Sequence, residues 1–121
     1  MTVDTNILVA YLKGEDIVVH TLSLWKQAGR RLFVSTITVA ELLSLPDLSP
    51  EEAEDIAGFL QNFVSVDFDD RLARTAALFR SVYRLQLPDA AIAATAFHNR
   101  VPLVTRDRAL RRVKEITLVE L

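Results

Sequence analysis

The first twelve residues, Met1-Thr-Val-Asp-Thr-Asn-Ile-Leu-Val-Ala-Tyr-Leu12, place an acidic residue between a short strand-like segment and an apolar run. Residues 2–3 are typical of a very short strand, which Asp4 ends. The apolar run that follows predicts a helix over residues 6–12. In a chain of alternating strands and helices, binding sites form at the carboxyl ends of strands, so Asp4 is a candidate site residue. The alternative is that Asp4 only caps the helix, because aspartate is a favoured N-cap.

Strand-like and helix-like segments alternate along the rest of the chain. Further strands are predicted at residues 32–35, 64–67, 101–105 and 117–121. Helical spacing of apolar residues, capping residues and prolines predict helices over residues 18–28, 37–43, 50–61, 70–85 and 88–97. This alternation predicts an α/β fold with a parallel sheet of four to five strands covered by helices on both faces.

Composition narrows the class of protein. At 121 residues, half of them hydrophobic, the chain is expected to form one domain. It has no cysteine, which excludes disulfides and thiolate metal sites, so a metal would need oxygen or histidine ligands. The two histidines, His20 and His98, each stand alone in a helical pattern and are expected to lie on the surface or to have structural roles. With no membrane-length apolar run and no leader pattern, we expect a cytoplasmic protein with no membrane partner.

The charges are distributed unevenly. Nine acidic residues and no Lys or Arg lie from Glu41 to Asp70, whereas ten basic residues lie from Arg71 to Lys114. Arginine, which makes up eleven of the fourteen basic residues, binds phosphate through a planar fork of donors. A polyanionic partner is therefore plausible, although solvated helix faces would explain the same charges. On the predicted helix 70–85, Leu78 and Val82 lie away from the inner apolar face, which indicates a second packing partner such as another subunit.

Four acidic residues follow strands in the predicted order. Asp4 ends the first strand, and Asp107 follows the fourth by two residues. Glu41 lies on the helix that leaves the second strand, and Asp89 lies in the first turn of the alanine-rich helix. Right-handed crossovers bring strand ends and helix starts to one edge of the sheet, so all four carboxylates can converge there. Each also has a local explanation, as a cap, a dipole partner or a solvated helix residue.

Carboxylates that converge repel one another, and a divalent cation relieves that repulsion. Oxygen ligands without cysteine suit Mg²⁺ or Mn²⁺, so we expect one of these ions as the cofactor. Arg106 and Arg108 flank Asp107 and are candidates for contact with a phosphate chain. An acidic metal pocket beside arginines is typical of phosphodiester hydrolysis.

Four segments carry a family resemblance. They are Val3-Asp-Thr-Asn-Ile-Leu8, Val34-Ser-Thr-Ile-Thr-Val-Ala-Glu-Leu42, Leu87-Pro-Asp-Ala-Ala-Ile-Ala-Ala-Thr-Ala96 and Leu103-Val-Thr-Arg-Asp107. In order, they resemble the four acidic motifs of the PIN domain, and within it the VapC-type toxin ribonucleases of toxin–antitoxin pairs. The resemblance covers residues 1–121 as a single PIN-like domain. It implies a three-layer α/β/α fold, Mg²⁺- or Mn²⁺-dependent endoribonuclease activity on RNA, a homodimer and a small cognate antitoxin.

The resemblance also implies roles for individual residues. Asp4, Glu41, Asp89 and Asp107 would form the catalytic and metal-binding cluster. Thr105 and Asn6 match supporting positions, and the cap of the first helix would pass to Thr5 or Asn6. Many relatives continue after the last acid with an acidic-aromatic pair, where this chain has Arg108-Ala-Leu110.

Three other functions fit parts of the pattern. One is a PIN nuclease of RNA maturation or decay, and another is a catalytically inactive PIN module that binds RNA or a partner. The third is a phosphatase with an aspartyl nucleophile. It normally needs a second aspartate two residues after the first, and Asn6 occupies that position.

Overall fold

Five parallel strands form the central sheet of the computed structural model, which describes residues 1–121. The strands are β1 (Thr2–Val3), β2 (Phe33–Ser35), β3 (Val64–Val66), β4 (Leu103–Val104) and β5 (Leu118–Val119). Their spatial order is β3-β2-β1-β4-β5, so β1 is the central strand. Thr2 pairs with Phe33 on one side and with Leu103 on the other. The predicted parallel sheet is therefore confirmed, with five strands.

Six α-helices cover the sheet. They are α1 (Thr5–Leu12), α2 (Asp16–Gln27), α3 (Thr36–Leu43), α4 (Pro50–Leu60), α5 (Asp70–Tyr83) and α6 (Leu87–Asn99). A short 3₁₀ helix, Arg108–Arg112, follows β4 and was not predicted. None of the helices combines the length and the apolar character needed to cross a lipid bilayer.

Capping residues explain where the helices begin. Ser49 and Glu52 form a reciprocal capping box at the start of α4, and the Asp69 side chain accepts a hydrogen bond from Leu72 N at the start of α5. The α6 helix begins at Leu87, so Pro88 occupies its second position and not the first as predicted. Proline is tolerated there because the N–H groups of the first turn have no partner within the helix.

Several elements are shorter than the sequence pattern predicted. Helix α5 stops at Tyr83 and not at residue 85, because Arg84 adopts a left-handed conformation with φ of 55°. Strand β4 begins at Leu103 and not at residue 101, and Pro102 directly before it has no N–H to donate to a neighbouring strand.

Two hydrophobic clusters lie on opposite faces of the sheet. One contains Val3, Val34 and Val104 together with buried residues of α1–α4. The other contains Leu103 together with buried residues of α5, α6 and the 3₁₀ helix. Successive residues of a strand point to opposite faces, as Leu103 and Val104 do. The three-layer α/β/α arrangement is therefore confirmed, with the ends of β1 and β4 held between the two clusters.

Candidate functional site

The carboxyl edge of the sheet opens into a cavity of about 340 Å³. Its lining contains all four carboxylates singled out in the sequence: Asp4, Glu41, Asp89 and Asp107. Thr5, Asn6, Val9, Pro88 and Ile92 complete the lining. The topology contributes to this convergence, because β1 and β4 are neighbours and α3 begins directly after β2. Asp89 reaches the cavity from the first turn of α6.

Asp4 is both a helix cap and part of the cavity wall. Its Oδ1 accepts a hydrogen bond of 2.7 Å from Thr5 N, which caps α1, so the cap does not pass to Thr5 or Asn6. Its Oδ2 accepts a hydrogen bond of 2.7 Å from the Thr105 hydroxyl. The side chain is buried, and burial raises the pKa of Asp4 above its ordinary value. The two hydrogen bonds lower that pKa, and the charges of neighbouring carboxylates raise it.

Thr105 connects two of the acidic residues. It is buried at the end of β4, where its hydroxyl donates to Asp4 and accepts a hydrogen bond of 3.0 Å from Asp107 N. Asp107 in turn caps the 3₁₀ helix, because its Oδ1 accepts a hydrogen bond of 2.9 Å from Ala109 N. One hydroxyl therefore fixes the positions of both strand-end carboxylates relative to each other.

Glu41 is held by the Thr5 hydroxyl, which in turn contacts the hydroxyl of Thr38. The Thr5 hydroxyl donates a hydrogen bond of 2.7 Å to Glu41 Oε1 and also lies 3.0 Å from the hydroxyl oxygen of Thr38. Thr38 is fully buried on α3, three residues before Glu41. The only sequence signal was the position of Thr5 beside the first acid and of Thr38 one helical turn before the second.

Asp89 is the carboxylate with the most perturbed protonation. It lies half-buried in the first turn of α6 and receives no hydrogen bond from an N–H or hydroxyl donor. Burial, a hydrogen bond with the Asp107 carboxyl, and the charges of Asp107, Asp4 and Glu41 raise the pKa of Asp89 to about 7. The cavity therefore contains more negative charge than its own groups can stabilise.

No basic side chain of this chain compensates the cavity. Its lining includes no Lys, Arg or His, and none of the three ion pairs in the molecule involves the four carboxylates. His98 lies elsewhere, with Nε2 2.7 Å from the Thr75 hydroxyl. The donor set is all oxygen, which fits a hard divalent cation. No group of three or more acidic or histidine side chains stands in an arrangement that could by itself hold a metal ion. The lining therefore fits an ion that takes one or two carboxylates together with water and substrate oxygens, as Mg²⁺ commonly does.

Asn6 and the main chain of Arg106 meet at the rim of the cavity. The Asn6 side-chain oxygen accepts a hydrogen bond of 3.3 Å from Arg106 N, so Asn6 connects α1 to the segment after β4. The Arg106 guanidinium turns to Glu15, with Nη1 3.0 Å from Oε2, and to the main-chain oxygen of Leu121. Arg108 is exposed and forms no ion pair.

Comparison with known families assigns the chain. The model of the PIN domain matches residues 1–116. The chain belongs to the PIN domain family. The resemblance drawn from the four acidic segments is therefore confirmed at the level of the family. No curated protein sequence matches closely enough to count as a relative.

Several solved structures have the same fold as this chain. VapBC2 from Rickettsia felis, bound to a DNA fragment from its promoter, superposes with a TM-score of 0.85 at 22% identity, over 99% of this chain and 97% of that chain. A toxin–antitoxin complex from Klebsiella pneumoniae gives 0.83 at 26% identity, over 98% and 94%. DNA-bound VapBC from Salmonella typhimurium gives 0.82 at 22% identity, over 98% and 96%.

Proposed function

We propose that this PIN-domain protein is a Mg²⁺- or Mn²⁺-dependent endoribonuclease and the toxin of a VapBC-type toxin–antitoxin pair. The observation that carries the proposal is the cavity in which Asp4, Glu41, Asp89 and Asp107 meet without any basic side chain. The PIN domains of VapC toxins are nucleases, and PIN nucleases generally use divalent metal ions. Similar structures that are toxin–antitoxin complexes support the toxin role and a small antitoxin as partner.

Asp4 and Asp89 are the proposed direct metal ligands, with Asp107 and Glu41 completing the acidic cluster. When bound, the ion would activate water for attack on a phosphodiester and stabilise the charge that develops on the phosphate. The protein supplies the fixed positions: hydroxyls hold Asp4 and Glu41, and a main-chain N–H holds Asp107. Asn6 and Thr105 act as supports, and Arg106 and Arg108 at the rim are the proposed contacts for RNA phosphates.

We also propose a homodimer. Leu78 and Val82 on α5 are 58% and 60% exposed, although both are large apolar side chains. They are one helical turn apart and so form a continuous apolar strip on the outside of the molecule. In a two-fold symmetric dimer the same surface patch of both subunits is buried, so this strip would pack against its copy in the second subunit.

The decisive variant is Asp4→Asn. Asparagine also caps helices well, so the change removes the charge with little loss of capping. We expect cleavage of single-stranded RNA in Mg²⁺ or Mn²⁺ to fall more than about a hundredfold, because even outer partners of metal ligands cost 10–100-fold. Asp69→Asn, which changes the cap of α5 outside the cavity, is the matched control and should cleave as the wild type does.

Two further observations separate the alternatives. Cleavage that EDTA does not abolish, or that Asp4→Asn retains, would exclude the metal-dependent site. Expression of the wild type, but not of Asp4→Asn, should stop cell growth if the protein is a toxin; normal growth together with RNA cleavage would favour a nuclease of RNA maturation or decay. An inactive binding module would bind RNA but show no heat of Mg²⁺ or Mn²⁺ binding in calorimetry.

A further inference from the structure

Arg106, at the rim of the acidic cavity, has a guanidinium that is already paired with a carboxylate. Arg106 stands between Thr105, which holds Asp4, and Asp107, which lines the cavity. Its main-chain N–H donates to Asn6, another lining residue. The backbone of Arg106 is thus fixed at the cavity, and only its side chain is directed away.

The side chain of Arg106 is held by Glu15. Nη1 lies 3.0 and 3.2 Å from the two carboxylate oxygens of Glu15, and Nε donates a hydrogen bond of 3.0 Å to the Leu121 main-chain oxygen. Nη2 makes no hydrogen bond. A phosphate that accepts two parallel hydrogen bonds from Nη1 and Nη2 therefore has to displace Glu15 from Nη1.

The Glu15 carboxylate has no partner other than Arg106. It occupies the N-cap position of α2, yet its side chain makes no capping hydrogen bond. The side chains of Arg106 and Glu15 are 34% and 45% exposed. An ion pair this exposed is weak, so a stronger acceptor can displace it. A phosphate that binds arginine through two parallel hydrogen bonds is such an acceptor.

We propose that Glu15 competes with the RNA backbone for Arg106. Binding of substrate then exchanges a carboxylate–guanidinium pair for a phosphate–guanidinium pair beside Asp107. Glu15 is a positioning residue in this scheme, because it acts on RNA only through Arg106. It keeps the rim arginine oriented in the free protein and weakens the hold on any single phosphate. This inference rests on the proposed function in that the ligand is RNA.

The exchange predicts a specific dependence on salt. Binding of a phosphate by Arg106 releases a counterion from RNA, but the freed Glu15 takes up a cation, which reduces the net release. In Glu15→Gln no carboxylate is freed, so the plot of log Kd against log salt concentration should become steeper by up to about 0.7, the contribution of one contact to a single strand.

The test is RNA binding measured by fluorescence anisotropy with a fluorescein-labelled single-stranded RNA, in EDTA, with the RNA checked afterwards for integrity. Glu15→Gln should bind about two- to five-fold more tightly than the wild type, the range that corresponds to an exposed ion pair. Asp16→Asn is the matched control, because it removes the neighbouring charge and Asp16 forms no ion pair. It should change the Kd less and leave the slope unchanged.

A double-mutant cycle completes the test. In the Arg106→Gln background, Glu15→Gln should no longer tighten binding beyond the effect of Asp16→Asn in the same background. An equal gain with and without Arg106, a gain equal to that of the control, or no RNA binding by any variant would overturn the proposal. Both side chains are exposed, and melting curves confirm that each variant is folded. Because binding is measured without metal, loss of the proposed cleavage activity would be a separate result.

Discussion

Asp89→Asn should stabilise the metal-free protein at alkaline pH. The pKa of Asp89 is raised from 3.8 to about 7, a rise of about three pKa units, and each unit corresponds to about 1.4 kcal/mol. Full burial would make the effect about 4 kcal/mol, but Asp89 is only half-buried, and solvent screening reduces it to roughly 2 kcal/mol. The charged Asp89 therefore lowers the free energy of unfolding of the wild type by this amount.

The sign follows from the protons bound in each state. Between pH 3.8 and about 7 the folded protein keeps the Asp89 proton and the unfolded chain does not, so the stability of the wild type falls as pH rises through this window. Below pH 3.8 both states are protonated and the effect is absent. The buried Asp4, whose pKa is also raised, acts in the same direction.

The assay is thermal unfolding in EDTA from pH 4 to pH 8. The melting temperature of Asp89→Asn minus that of the wild type should grow to about 8 °C at pH 8, at roughly 4 °C for each kcal/mol in a domain of this size. Asp69→Asn controls for the loss of a carboxylate outside the cavity. Excess Mg²⁺ should stabilise the wild type more than Asp89→Asn. An ion that binds only the folded protein stabilises it, and the variant lacks one of the proposed ligands. A difference that stays constant with pH, or a variant less stable than the wild type at pH 8, would refute the repulsion argument.

Two other predictions concern the support of the site and the dimer. Thr105→Val removes the donor to Asp4 and the acceptor of Asp107 N–H. It should lower the free energy of unfolding in urea by about 1–3 kcal/mol for each unpaired group and reduce cleavage. Thr105→Ser retains both hydrogen bonds and is the control; a valine variant with wild-type stability would contradict this. Leu78→Glu should shift the protein toward monomer in analytical ultracentrifugation. Ala77→Glu, at an exposed position on another side of the same helix, should not. An unchanged sedimentation coefficient for Leu78→Glu would remove the proposed interface.

The fold and the meeting of the four acids could be predicted because both depend on local patterns and one topological rule. Strand-then-helix order, with right-handed crossovers, places Asp4 and Glu41 at the same edge whatever the details of packing. The choice between cap and site residue at Asp4 could not be made from sequence. Each of the two carboxylate oxygens of Asp4 has its own donor in the structure, and the side chain also lines the cavity, so capping does not exclude a role in the proposed site.

The contacts that hold the site could not be predicted, because they join residues far apart in the chain. Thr5 and Glu41 are 36 residues apart, and Arg106 and Glu15 are 91 apart. Whether a threonine hydroxyl reaches a carboxylate depends on rotamers that only the packed structure fixes. The same holds for the rim arginines: the sequence placed Arg106 beside Asp107, but not the direction of its side chain.

The hydrogen bonds divide the four carboxylates into two kinds. Asp4, Glu41 and Asp107 each accept a hydrogen bond from a hydroxyl or a main-chain N–H, which fixes their positions. Asp89 accepts none from such donors, and burial, together with the Asp107 carboxyl and the charges of the other three acids, raises its pKa. A nearby cation would therefore stabilise the charged form of Asp89 more than it stabilises a carboxylate that already accepts hydrogen bonds. In the proposed function, the three fixed acids would define where a cation binds, and Asp89, on a different helix, would be the group whose charge the cation alters most.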